Sequence, residues 1–204
     1  MTRVIILLLS CAIIGSLASG CYSPKPIPKA YFESKSQMSV AVGKCPEKAQ
    51  MSDSGQGGLL GAMVTAGRAG AMHEAMSGIT GDTVKELVRQ RFSEKMEEYF
   101  DIYDEGTLKT VIDILQWGWY VPTTVAGIKT GSYQFVINGT VTVTDTVQKK
   151  KPRIANLRAQ VSETIGNKPT AAVSQEALLK CADKLAVQAV TLLVKEQTAE
   201  PKSK

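Results

Sequence analysis

The segment from Tyr133 to Thr146 alternates without interruption, and this most constrains the fold. Tyr133, Phe135, Ile137, Gly139, Val141 and Val143 fall on one side, with Gln134, Asn138, Thr140, Thr142 and Thr144 mostly on the other. A period of two marks a strand with one face in a core. Asn138-Gly139 within it is the strongest short hairpin signal. A two-residue turn there would set Ile137 beside Thr140 and Phe135 beside Thr142, mixing apolar with polar side chains. One slip of register moves every side chain to the opposite face, so the unbroken alternation predicts a continuous strand. Asn138-Gly139-Thr140 also matches a glycosylation sequon.

A turn over Asp145 to Pro152 leads to a second alternating run, Ile154 to Glu163, in which Leu157, Ala159 and Val161 interleave with Asn156, Arg158, Gln160 and Ser162. These two strands are predicted to form a hairpin. Upstream, Met38 to Val42 reads as a strand, and Thr107 to Tyr120 carries Val111, Ile112, Ile114, Leu115, Trp117 and Trp119 on both faces, as an interior strand would. Asp113 lies in that run, where a buried carboxylate needs a partner. It is expected to accept hydrogen bonds at a sheet edge or turn.

Two helices frame these strands. Asp82 or Thr83 caps the first, running to about Phe100 with Val84, Leu87, Val88, Phe92, Met96 and Tyr99 on its apolar side. Ser174 caps the second, in which Leu178, Cys181, Ala182, Leu185, Ala189, Leu192 and Leu193 follow helical spacing. The expected class is α+β: a mainly antiparallel sheet of about four strands with helices packed on it and a long C-terminal helix.

Residues 52–81 fit this pattern least. Eight glycines (55, 57, 58, 61, 67, 70, 78 and 81) interrupt Leu, Ala, Met and Val. Each interior glycine costs a helix about 1 kcal/mol against alanine. Two readings stand: a loop and short helix covering the sheet, or a movable segment offering Leu59, Leu60, Met63, Met72 and Met76 to a partner, together with Trp117 and Trp119 further on. No Gly-Lys-Ser/Thr follows the glycines, so this is not a phosphate loop.

The N-terminus adds an address. One positive residue, Arg3, precedes an apolar run from Val4 to Leu9 and then small residues, the layout of a secretory signal. It barely reaches the length needed to span a bilayer. Ala18-Ser19-Gly20-Cys21 resembles the lipobox of bacterial lipoproteins, with Ala18 where Leu is usual. The resemblance implies removal of residues 1–20, an N-acyl diacylglycerol lipid such as one carrying palmitate on Cys21, and, since Tyr22 is not aspartate, an outer-membrane, periplasm-facing location. Surface exposure is compatible with it. Residues 21–36, with three prolines by Pro28, read as a tether, 37–196 as one domain and 197–204 as a disordered tail.

That processing isolates Cys45 and Cys181, which in an oxidising compartment are expected to pair as a disulfide. Closing so long a loop would stabilise the fold by about 4–5 kcal/mol. The net charge of +5, less Arg3, is too mild and too interspersed to argue for nucleic acid. Lys149-Lys150-Lys151-Pro152-Arg153 is the dense basic cluster, a solvated turn or a contact for anionic lipid or glycan.

Catalytic chemistry is poorly supplied. His73 is the one histidine and lacks a nucleophile motif, and two cysteines with one histidine make no zinc set, so no metal, cofactor or enzyme activity is expected. With the first strand at Met38 to Val42, the Val111 to Gly118 strand ending in Trp-Gly, and Tyr133 to Asp145 ending in an Asp turn, the order resembles the outer-membrane assembly lipoproteins, the group that includes the curli-secretion lipoprotein, the exopolysaccharide-export lipoprotein PelC and the penicillin-binding-protein activator LpoB. This resemblance implies an interaction or scaffold component of an envelope assembly or secretion system. The alternatives are a self-oligomerising ring or pore, and a periplasmic hydrolase or ligand carrier resting on His73.

Overall fold

The computed structural model describes residues 25–50, 52–53, 74–121, 123–125, 128–130, 132–165 and 169–194. The signal segment, Cys21, Leu59, Leu60, Met63, Met72, His73 and the 197–204 tail lie outside them. The described chain is α+β. In order it forms α1 (Ala30–Glu33), β1 (Gln37–Val42), β2 (Ser52–Asp53), α2 (Gly81–Met96), β3 (Asp101–Ile102), β4 (Leu108–Val121), β5 (Thr123–Val125), β6 (Ile128–Thr130), β7 (Tyr133–Asp145), β8 (Arg153–Ile165) and α3 (Ala171–Val194).

The main sheet has six strands in the order β3-β1-β4-β7-β8, with β2 on the same edge of β4 as β1 and beyond it; β5 and β6 pair separately. The sheet is mixed, a correction to the mainly antiparallel sheet of about four strands. β4, β7 and β8 are antiparallel, whereas β1 and β2 run parallel to β4. Parallel pairing needs a crossover, and here α2 lies between β1 and β4 in the chain.

β7 runs straight through Asn138-Gly139, and its buried positions are Phe135, Ile137, Gly139, Val141, Val143 and Asp145 together with Asn138. β4 shows why a sequence reading placed apolar residues on both of its faces. Ile114 pairs with Gly139 and Gln116 with Asn138, so Leu115 is an extra residue in a bulge. The bulge changes the phase of alternation. Even-numbered Leu108, Ile112 and Ile114 before it, and odd-numbered Trp117 and Trp119 after it, all reach the core.

Both long helices pack against this face, α2 on β1 and α3 on β8 and β7, and they also pack on each other. α2 buries Val84, Val88, Phe92 and Met96 at four-residue spacing. Its cap is Thr80, whose hydroxyl accepts from Thr83 N at 3.2 Å, rather than Asp82 or Thr83. α3 likewise starts earlier than Ser174. Thr170 Oγ1 accepts from Val173 N at 3.3 Å, and Ser174 is fully buried.

Residues 25–36 differ most from expectation. They form no extended tether in this part of the chain. Lys25 exchanges both backbone hydrogen bonds with Asn156 at 2.9 and 3.2 Å, and Ile27 N donates to Leu193 O at 2.9 Å. Ile27 is 1% exposed and joins the core. Prolines near a strand edge need not prevent this, because neighbouring residues still carry N–H groups to pair.

Candidate functional site

Three features could carry function: the face of the sheet away from the helices, the N-terminal clasp, and the buried polar and thiol groups beneath the helices. The face away from the helices is built by alternation. Where β7 sends Phe135, Ile137 and Val141 inward, it leaves Val136, Thr140 and Thr142 half-buried on the other side. On β8, Arg158, Gln160 and Ser162 are exposed, and Arg158 Nε donates to Asn138 Oδ1 at 3.4 Å. Among the described residues no helix covers this face. Asp113 of β4 belongs to it and accepts from Lys44 N at 2.8 Å, at the gap between β1 and β2, which is the edge role expected of it. A Cβ on Gly43 would stand 2.5 Å from Asp113 Oδ1, so this contact requires glycine.

The clasp fixes the N-terminal segment. Tyr31 Oη donates to Asp145 Oδ2 at 2.6 Å, and Gln148 Nε2 donates to Tyr31 Oη at 2.8 Å. Asp145 Oδ1 accepts from Val147 N and Gln148 N at 2.9 and 3.3 Å. The Tyr31 hydroxyl holds the Asp145 carboxyl below the usual carboxylate range, against the opposing effect of burial and with help from those backbone donors. The phenol is raised in turn, first by burial and then by the Asp145 bond and charge. Asp145 followed by turn residues is legible in sequence as a side chain bonding its own backbone. Its partner 114 positions away was not.

The residues proposed for partner contact are distributed differently from expectation. Met76, Trp117 and Trp119 are 7%, 0% and 1% exposed and belong to the core, a correction to their reading as partner surface. Each indole N–H is matched internally: Trp117 Nε1 donates to Pro46 O at 2.7 Å and Trp119 Nε1 to Ser174 Oγ at 3.1 Å. A buried tryptophan satisfied in this way packs as core. Trp119 also meets Phe135 edge-on at 5.2 Å.

Cys45 and Cys181 are free thiols, correcting the expected disulfide. Cys45 sits at the start of the gap between β1 and β2, facing Pro46 O and the first turn of α2, whereas Cys181 lies in mid-α3 with Sγ 3.4 Å from Phe135 O. The two side chains are directed at different elements, which is why helical spacing and compartment alone overstated the pairing. Burial pushes Cys45 up to about 11 and Cys181 up to about 12, so both are protonated near neutral pH and poor nucleophiles. Among the described residues no three of His, Cys, Asp and Glu converge to hold a metal ion, and no helix is long and apolar enough to cross a membrane.

A shallow groove of about 440 Å³ lies between β8 and α3, bordered by Gln160, Val161, Ser162, Asp183, Lys184, Val187 and Gln188. Its rim carries Lys184, whose ammonium donates to Ser162 O at 3.2 Å and pairs with Glu163; Lys180 reaches the same carboxylate at 3.6 Å. Periodicity gave no hint of this groove, because it depends on how α3 is set against the edge strand.

Neither a family model nor a curated protein matches this chain. Solved structures with a similar course include a Xanthomonas campestris protein at 14% identity, covering 88% of this chain and 99% of that one with a TM-score of 0.47. A minor lipoprotein of Acinetobacter baumannii is similar at 8% identity over 80% and 96% of the two chains, TM-score 0.42. The PelC dodecamer of Paraburkholderia phytofirmans is similar at 9% identity over 84% and 94%, TM-score 0.42. At these TM-scores the likeness is a loose one.

Proposed function

We propose that the protein is a lipid-anchored component of the bacterial cell envelope, facing the periplasm from the outer membrane and serving an assembly or secretion system as an interaction unit. The observation that carries this is the run Ala18-Ser19-Gly20-Cys21 directly after an apolar signal core, four residues before Lys25, which is paired into the domain. The half-buried polar face of β4, β7 and β8 supports the interaction role, since it leaves a broad sheet surface to which another protein can bind. The half-buried Cys45 and buried Cys181 thiols, both protonated near neutral pH, and the internally satisfied tryptophans favour binding over catalysis by those groups.

Intact-mass analysis of the protein purified from membranes should find the chain starting at Cys21 and carrying acyl groups. Cys21→Ala should abolish acylation and release the chain from the membrane fraction. A photo-crosslinker at Thr142, on the half-buried sheet face, should capture another envelope protein. Crosslinks only between copies of this chain would instead assign a self-oligomer, and an unacylated protein that still fractionates as soluble would refute the anchor.

A further inference from the structure

The anchor and the fold together set which side of the domain meets the membrane. Lys25 pairs with Asn156 in the antiparallel sense, both of their backbone hydrogen bonds being formed. In such a pair the residues before one partner proceed in the direction of those after the other. The backbone at Lys25 therefore points back toward the side of Arg158, on the edge of β8. An extended chain spans at most about 3.6 Å per residue, so the four steps from Cys21 hold it within about 14 Å of Lys25. The anchor therefore stays within that reach of the β8 edge on which Lys25 pairs.

That edge suits a lipid surface. α3 exposes Leu179 and Val187 at 46% and 44%, about 80° apart around the helix, with exposed Asp183 between them. Val187 borders the groove against β8, together with Val161. Lys180 and Lys184 flank these apolar side chains, with Glu163 between them holding both ammonium groups. Lysine stems lie along apolar surface while their heads stay at the water boundary, the arrangement that suits a helix resting among phospholipid headgroups.

We infer that the β8–α3 edge, with exposed Leu179 and Val187 and the groove beside it, is the side of the domain that rests on the phospholipid surface. This holds the sheet face and the far edge at β3 outward, available to a periplasmic partner. The inference relies on the lipidation of Cys21. From β8 to β3 the sheet has five strands, at about 4.8 Å per gap, so the two edges are about 19 Å apart and distinguishable by a probe of depth.

The test uses the full chain, purified from membranes and reconstituted in vesicles of phosphatidylethanolamine and phosphatidylglycerol containing a nitroxide-headgroup lipid. A fluorophore is attached through Val187→Cys or Leu179→Cys on this edge, and through Asp101→Cys on β3. The chain without added cysteine corrects for slow labelling of Cys45 and Cys181. Quenching several-fold stronger at 187 and 179 than at 101 is expected. Equal quenching, or stronger quenching at 101, on a chain whose mass shows acylated Cys21 overturns the orientation and leaves the anchor intact. Shielding of 187 that tracks protein concentration rather than vesicles assigns the edge to a second copy and also overturns it. A chain with no acyl group on Cys21 removes the anchor and this inference with it.

Discussion

Substitution of Ser174 by alanine tests its role as a core partner of Trp119 rather than a helix cap. Ser174 is 0% exposed and accepts from Trp119 Nε1 at 3.1 Å, while Trp119 is 1% exposed. Ser174→Ala leaves the indole N–H buried without an acceptor, which costs about 1–3 kcal/mol. Trp119→Phe removes the donor and also some packing volume, and the double variant removes both halves of the bond. The hydrogen bond should appear as a coupling of about 1 kcal/mol between the two sites, the double variant losing less than the sum of the singles. Thermal unfolding of Ser174→Ala should then show a Tm lower by roughly 2–12 °C, at about 2–4 °C per kcal/mol for a chain of this size. Urea unfolding of all four chains gives the coupling itself. Thr170→Ala should separately cost about 0.5–2 kcal/mol as the true cap. A coupling near zero, with Thr170→Ala neutral and Ser174→Ala costing the same whether or not Trp119 is present, would refute this account and restore Ser174 as the cap.

The clasp should be pH-dependent at both ends. Asp145 has its folded pKa depressed, so its stabilisation is present above the ordinary carboxylate range and lost as pH falls through the folded value; Tyr31 has its folded pKa raised, so its share is present below about 10 and lost as pH rises further. Tyr31→Phe should flatten both limbs of the stability profile, and a profile unchanged by that substitution would exclude the clasp. Gly118 has φ +136° and an added Cβ would lie 2.2 Å from Gln50 O, so Gly118→Ala should destabilise by several kcal/mol or prevent folding; circular dichroism and thermal melts showing a near-native chain would contradict it. Cys45 and Cys181 should give equal mobility on reduced and non-reduced gels, with half-buried Cys45 alkylated slowly in the folded chain and buried Cys181 chiefly as it unfolds, in contrast to a disulfide that would resist alkylation until reduced.

Local order was legible wherever a regular period meets a single environment. β7, the second half of its hairpin, the apolar face of α2 and that of α3 were all readable, because strand and helix periods sort side chains by burial whatever the rest of the chain does. The proposed lipobox is of a different kind, since a peptidase recognises such a motif as a linear segment. Reading failed where a period was broken or a partner was remote. The Leu115 bulge reversed the phase of β4 and brought Trp117 and Trp119 into the core, though the sequence showed them only as large residues on an apolar run. Likewise Ser174 is a plausible cap by type, but Thr170 supplies one acceptor earlier and the indole of Trp119 claims Ser174.

The sequence by itself determined the order of the long strands and helices and the α+β class, because each depends on neighbours along the chain. Only the tertiary structure decided that β1 and β2 run parallel to β4, that residues 25–36 are folded onto the domain, that the two thiols are apart, and that a groove lies between β8 and α3. Those features come from pairing and packing between residues far apart in sequence. Their energies depend on geometry that no local period records.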